Sequence, residues 1–291
     1  MSFSTDTKAE IIKLPVNKRC CKRASAAAFL LGAETDGDTR IVCNFSSIEI
    51  ALAAQKAITL AFGKDSSPTP PVSVSSDGYD IAFISGDAVK LLNEIRENGL
   101  DKIARACAEC STAILRGAFV AFASVTDPDR QYHLEFLLRD ASDAKLLYSF
   151  LTESVGKPAI TSRKSGTGLV YKSSSAIEDI LSVTGATKAY FGLVNGKIER
   201  EIRNNENRAT NCETRNIAVS VDTAQRQIAA INKLKEEDKF DLLPPELKKT
   251  AEMRLLYPSL PLSELASRFA PPLTKSGLNH RLKKITEIAE Y

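Results

Sequence analysis

Tryptophan is absent from this 291-residue chain, and histidine occurs only twice, as His133 and His280. Two histidines exclude a metal site built from several imidazoles. Long apolar runs are missing too: the longest, Ala24 to Ala33, is half the ~20 residues that a membrane-spanning helix needs. The opening segment MSFSTDTKAEIIK lacks an apolar core behind a basic start, so no secretory signal is read there and a cytoplasmic protein without membrane partners is expected. Charged residues make up 26% and hydrophobic residues 43%, an ordinary globular balance that excludes wholesale disorder. At ~100–200 residues per domain, the length suggests two or three domains.

Six cysteines in a chain of this kind do not form a disulfide framework, because a reducing compartment keeps thiols free. A cysteine zinc site would have to combine the C-x-x-C of Cys107 and Cys110 with distant partners such as Cys20 and Cys21. A single C-x-x-C without a second pair at similar spacing is a thin zinc signal, and buried free thiols are the preferred reading. No metal and no cofactor are therefore assigned.

Charge is distributed unevenly. Residues 1–199 carry 23 basic and 23 acidic side chains, whereas residues 200–291 carry 16 and 13, so the net +3 lies wholly in the last third. Between Lys275 and Lys284 stand four basic residues and a histidine with no acid. A basic cluster on a neutral body is the electrostatic footprint of a nucleic-acid reader. A solvated helix face is the competing reading.

The first two hundred residues repeat. Cys20–Gly32, rich in small residues, is matched 89 positions later by Cys110–Ala121, which sets Cys21 opposite Cys110. The first copy continues with a strand at Arg40–Phe45, a helix from Ser47 to Phe62 and a Pro/Ser loop at Ser66–Pro71. A hairpin then turns at Ser76–Gly78 between Val72–Val74 and Tyr79–Ser85, before a helix from Asp87 to Arg96. The second copy offers strands at Tyr132–Leu138, Ala159–Arg163 and Leu169–Lys172, with helices at Ala141–Ser154 and Ala176–Val183. Alternation identifies the strands, and 3.6-residue spacing the helices. Each copy reads as α-β-β-α-β-β-α.

Small side chains on the first helix of each copy (Ala24, Ala26, Ala27, Ala28; Ala113, Gly117, Ala118) suit two helices at close range. Such a pair feeding a pseudo-twofold saddle resembles the LAGLIDADG homing-endonuclease fold, the match being best at Leu115–Ala123. In that family an acid at the eighth motif position of each copy holds the catalytic cation. Here those positions are Ala33 and Phe122, and the sixth are Leu31 and Val120. Magnesium demands hard oxygen ligands, so the symmetric two-metal site cannot be built. Glu34 and Asp36 lie just beyond the first helix, but the second copy has nothing before Asp127. No catalytic residue is assigned.

From Pro244 the pattern changes to short helices. One opens at Pro244-Pro245, carries Leu247, Ala251 and Leu255 and stops at Tyr257. The next begins near Ser259 with Leu262, Leu265, Ala266 and Phe269. The third runs from about Lys275 to Tyr291 over Leu278, Leu282, Ile285 and Ala289. Three such helices suit a helix-turn-helix domain, although the connection Ala270–Thr274 is longer than usual. Opposite the stripe of the third stand Ser276, His280, Lys283 and Lys284, with Asn279 on the flank; Ser276, Asn279 and His280 are read toward bases, and Lys275, Arg281, Lys283 and Lys284 toward phosphates. The junction Ile198 to Asp238 reads as helix. Arg200, Arg203, Asn204, Asn207, Arg208, Asn211 and Arg215 share a face of it, and Arg203, Asn204, Asn207, Arg208 and Asn211 are taken as secondary DNA contacts. A solvated connector is equally open. Ala224, Ile228, Ile231 and Lys235 are placed against the C-terminal bundle.

These segments together resemble the WhiA family of Gram-positive DNA-binding proteins: MSFSTDTKAEI, the Cys20-Cys21 pair, LRGAF at Leu115–Phe119, RNNENRATN at Arg203–Asn211 and TKSGLNHRLKKI at Thr274–Ile285. The departure is at the first hairpin, where Ala33-Glu34 replaces the family's Asn-Gly. The resemblance implies a non-enzymatic transcription factor acting in sporulation, cell division and chromosome segregation, with another regulator or RNA polymerase as further partners.

The expected fold is therefore α+β: LAGLIDADG-like repeats at about 1–98 and 99–197, a helical linker at 198–221, and an all-α helix-turn-helix domain at 222–291. The function is sequence-specific binding of double-stranded DNA. The alternatives are a residual metal-dependent nuclease or an N-terminal protein-docking scaffold.

Overall fold

The structure is a computed structural model that describes residues 2–63, 73–75 and 78–290. The chain divides into two units, Met1–Arg200 and Glu201–Tyr291, each with its own hydrophobic core.

The first unit opens on α1 (Phe3–Ile12), a helix that apolar spacing does not announce, because only Thr7 and Ile11 on it are buried. Its start is fixed by Ser2, whose side chain accepts the Thr5 amide. The first repeat follows as α2 (Arg19–Phe29), β1 (Glu34–Asp36), β2 (Arg40–Phe45), α3 (Ile48–Phe62), β3 (Ser73–Ser75), β4 (Gly78–Ile84) and α4 (Gly86–Asn98). After the short α5 (Asp101–Ala104) comes the second: α6 (Cys110–Phe122), β5 (Ala123–Val125), β6 (Leu134–Leu138), α7 (Ala141–Ser154), β7 (Ala159–Arg163), β8 (Gly166–Tyr171) and α8 (Ser174–Thr184). Each repeat folds into an antiparallel sheet, ordered β1-β2-β4-β3 in one and β5-β6-β8-β7 in the other. The expected Pro/Ser loop, Ser66–Pro71, lies outside the described residues, as do Ser76 and Asp77 of the hairpin turn.

Helix caps punctuate this order. Ser47, Ser85 and Asp140 accept the amides of Ile50, Ala88 and both Ser142 and Asp143, and so start α3, α4 and α7. The strand expected from Tyr132 begins only at Leu134, and the Tyr132 ring lies instead beneath the Arg200 guanidinium, 4.8 Å from its centroid. The first repeat reaches its hairpin through Gly32 at φ +76°, a left-handed turn that suits glycine.

At the centre of the unit α2 packs against α6. A Cβ on Gly117 would lie 2.8 Å from the Ala28 Cβ and 2.9 Å from the Ser25 carbonyl oxygen, so not even a methyl group fits between the helices. This is why the pair is built from glycine and alanine.

The 50-residue α9 (Thr187–Glu236) belongs to both units. In the second unit its buried face is Ala224, Gln227, Ile231 and Leu234. That departs from the expected Ile228 and Lys235, and the reason is polar. Gln227 turns inward to accept the Arg254 Nε at 3.0 Å, and Arg254, itself buried, also donates to the Leu260 carbonyl at 2.9 Å. The remaining elements are α10 (Pro245–Leu256), α11 (Leu262–Ser267) and α12 (Lys275–Glu290). α11 starts later than its apolar pattern suggests. Pro258 and Pro261 lack amides, and the Leu260 carbonyl is committed to Arg254.

Candidate nucleic-acid interface

Leu278, Leu282, Ile285 and Ala289 are buried along one side of α12, packed into the core with Leu247 and Ala251 of α10 and Leu265 and Ala266 of α11. Thr274 starts the helix, its Oγ1 accepting the Gly277 amide at 3.0 Å. Seated in this way, the helix has one rotational setting. Ser276, Asn279, His280, Lys283 and Lys284 project from the opposite side within an arc of ~140°, and all five are exposed. Lys275 is exposed as well.

Arg281 stands apart from that group. It lies on the flank, half-buried, with its guanidinium 3.2 Å from the Glu246 carboxylate of α10. A phosphate contact by Arg281 therefore requires that this ion pair be exchanged. Lys283 lies 3.6 Å from Glu287 one turn on; both are well exposed, and such a pair contributes little. The face is cationic and free of acids from Lys275 to Thr286.

On α9, Arg203, Asn204, Asn207, Arg208 and Asn211 are all exposed. At 100° per residue they share one side, while Glu206 and Glu213 fall opposite. Arg200 is not part of that exposed stripe, because it donates to the Pro128 carbonyl at 2.6 Å and covers Tyr132.

A second polar region lies in the first unit, a cleft of about 910 Å³ lined from both repeats. Ala33 and Phe122, at the positions where the endonuclease motif carries its acids, both line it. Its charges are mixed: Lys8, Arg96, Arg139 and Arg163 face Glu34, Asp80, Glu135, Asp140 and Asp143. Buried Glu135 is held by Arg163 at 3.0 Å. Buried Asp143 accepts the Gly32 amide at 2.8 Å, and desolvation pushes its carboxyl above the usual carboxylate range. Among the described residues, no three of these acids converge on one point as a cation would require.

Two family models match separate stretches of the chain. Residues 111–203 match the model of the WhiA LAGLIDADG-like domain, and residues 207–289 match that of the WhiA C-terminal HTH domain. Along the whole chain, the sequence is 33% identical over 314 aligned positions to a relative from Thermoanaerobacter sp. (strain X514), covering 98% of it. The chain belongs to the WhiA family. A Syntrophomonas wolfei member is 33% identical over 309 positions, covering 99% of this chain and 97% of its own. Both WhiA relatives carry the name "Probable cell division protein WhiA", which describes no enzyme. The crystal structure of full-length DUF199/WhiA from Thermatoga maritima superposes with a TM-score of 0.64 at 23% identity, covering 100% of this chain and 98% of that one, so the WhiA fold is shared throughout.

Sequence reasoning missed Glu246, which positions Arg281, and the Gln227–Arg254 pair, which ties α9 to α10. Polar residues inside an otherwise amphipathic pattern were the only signal for them. No helix among the described residues is long and apolar enough to cross a membrane.

Proposed function

We propose that this protein is a non-enzymatic, sequence-specific DNA-binding transcription factor, acting in cell division, for which its relatives are named, and in sporulation and chromosome segregation, and that α12 is its recognition helix. One observation carries this reading: a helix whose rotation is fixed by four buried apolar residues presents an acid-free face of Ser276, Asn279, His280, Lys283 and Lys284. A major groove admits such a helix, and its base edges accept or donate to these side-chain types. Asn279 suits adenine, His280 suits guanine acceptors, and Lys275, Lys283 and Lys284, with Arg281 once it leaves Glu246, suit phosphates. The exposed stripe Arg203, Asn204, Asn207, Arg208 and Asn211 serves as a secondary backbone contact. In this reading the functional boundaries are residues 1–197 for the scaffold, 198–221 for the linker and 222–291 for the reading domain.

The N-terminal scaffold does not cut DNA in this account. A methyl and a phenyl group stand where carboxylates would bind the cation, and the mixed charge of the cleft is a poor match for a polyanion. It serves as a platform for a protein partner, such as another regulator or RNA polymerase.

Selection from a randomised duplex library tests the reading. The full-length chain is expected to enrich one motif, and Asn279→Ala is expected to relax preference at one or two positions within it, at a cost of ~1–3 kcal/mol for the preferred base. Failure of the wild-type chain to enrich any motif would remove sequence-specific readout.

A further inference from the structure

Four cysteines from segments more than eighty residues apart meet at one end of the α2–α6 pair. Cys20 and Cys21 occupy the first turn of α2, Cys110 is the first residue of α6, and Cys107 precedes it by one turn. The Sγ–Sγ distances are 3.4 Å for Cys107–Cys110, 3.5 Å for Cys20–Cys107, 3.5 Å for Cys21–Cys107 and 3.9 Å for Cys21–Cys110. All four sulfurs lie within 4.8 Å of one another, the one such grouping of metal-ligating side chains among the described residues.

We propose that this cluster is a structural zinc site, with Cys20, Cys21, Cys107 and Cys110 as its four thiolate ligands. Four sulfurs bound to one Zn²⁺ at ~2.3 Å form a tetrahedron with edges of ~3.8 Å; here four separations are 3.4–3.9 Å and none exceeds 4.8 Å. A cluster of several irons holds its cysteines farther apart. The buried-thiol reading preferred on sequence does not fit this grouping. Cys43 is what a core thiol outside that grouping looks like: buried, its thiol pushed up to about 12 by desolvation. Cys20 and Cys107 are only partly buried, and a shared ligand accounts for four thiols turned toward one point.

The surroundings suit the product. Binding releases the thiol protons and leaves Zn(Cys)₄ with two negative charges. Both α2 and α6 begin at the cluster, so the positive ends of two helix dipoles favour that charge. The Glu109 amide donates to the Cys107 sulfur, and Lys18, Arg19 and Lys22 flank the vicinal pair. The ion joins the first repeat to the second at the end of the helix pair remote from Ala33 and Phe122. It closes a loop of more than eighty residues, so its loss loosens the contact between repeats.

The test uses the full-length chain, independently of DNA binding. Protein purified under reducing conditions without chelator is expected to hold about one zinc per chain by elemental mass spectrometry. Cobalt added to the metal-free protein should give the intense visible bands of a tetrahedral thiolate site. Cys107→Ser and Cys20→Ser should abolish both signals, while Cys212→Ser, altering an exposed cysteine elsewhere, should leave both intact. Should the serine variants fail to fold, wild-type zinc content and the cobalt spectrum still decide. Absence of bound zinc together with no cobalt bands would overturn the proposal. So would iron at that stoichiometry in place of zinc, or a disulfide within the four in reduced protein.

Discussion

Gly117 shows how much one hydrogen atom decides. An added methyl gains helix propensity of ~1 kcal/mol, but it must displace both the Ala28 side chain and the Ser25 carbonyl. Overpacking of that kind costs ~1–3 kcal/mol, so Gly117→Ala is expected to lower the melting temperature by several degrees in a thermal denaturation scan. Asp143 supplies a pH-dependent case. Its folded value lies above the ordinary 3.8, because burial outweighs the Gly32 amide. The folded chain therefore binds this proton more tightly than the unfolded chain. The stability it contributes is complete below the ordinary value and is lost as pH rises through the folded value. Asp143→Asn keeps an acceptor for Gly32 and removes the titration. Melting curves across the acid range should show the variant gaining on wild type as pH rises toward neutrality.

At the scale of elements, the second unit depends on a polar contact as much as on its apolar stripes. Gln227→Ala leaves the buried Arg254 Nε without its acceptor, at a cost of ~1–3 kcal/mol. The variant is expected to melt earlier, and hydrogen exchange should locate the loss in α9 and α10. Elements with clean periodicity were legible beforehand: β2, α7 and the buried stripe of α12 stand where alternation and 3.6-residue spacing put them. The αββαββα order was legible in outline, but alternation marked neither β1 nor β5, which are only three residues long. α1 was not, because its inward face mixes Thr7 with Ile11, and the start of α11 was not, because Arg254 claims a carbonyl that no local pattern reveals. The exposure of Ser276, Asn279, His280, Lys283 and Lys284 could be read in advance, since it follows from the buried stripe. The commitment of Arg281 to Glu246 could not, since it joins two helices through a turn of unknown course. The 89-residue offset already set Cys21 opposite Cys110, and the structure places their sulfurs 3.9 Å apart. Cys20 and Cys107 join them only through the geometry of two helix starts, which spacing does not disclose.

At the scale of the whole molecule, a neutral repeated scaffold is joined to a basic helical domain. Supercoiled plasmid incubated with the full-length chain and magnesium or manganese is expected to stay uncut, and nicking that disappears in Glu34→Ala would contradict the view that the repeats have lost their chemistry. The central claim is that α12 delivers DNA binding, and the salt dependence of affinity addresses it most directly. Each phosphate contact adds ~0.9 to the slope of log affinity against log salt. For the double variant Lys283→Ala/Lys284→Ala, titration of a duplex at several salt concentrations should show weaker binding and a slope shallower by about 2. An affinity and a slope unchanged from wild type would place the DNA contact somewhere other than this helix.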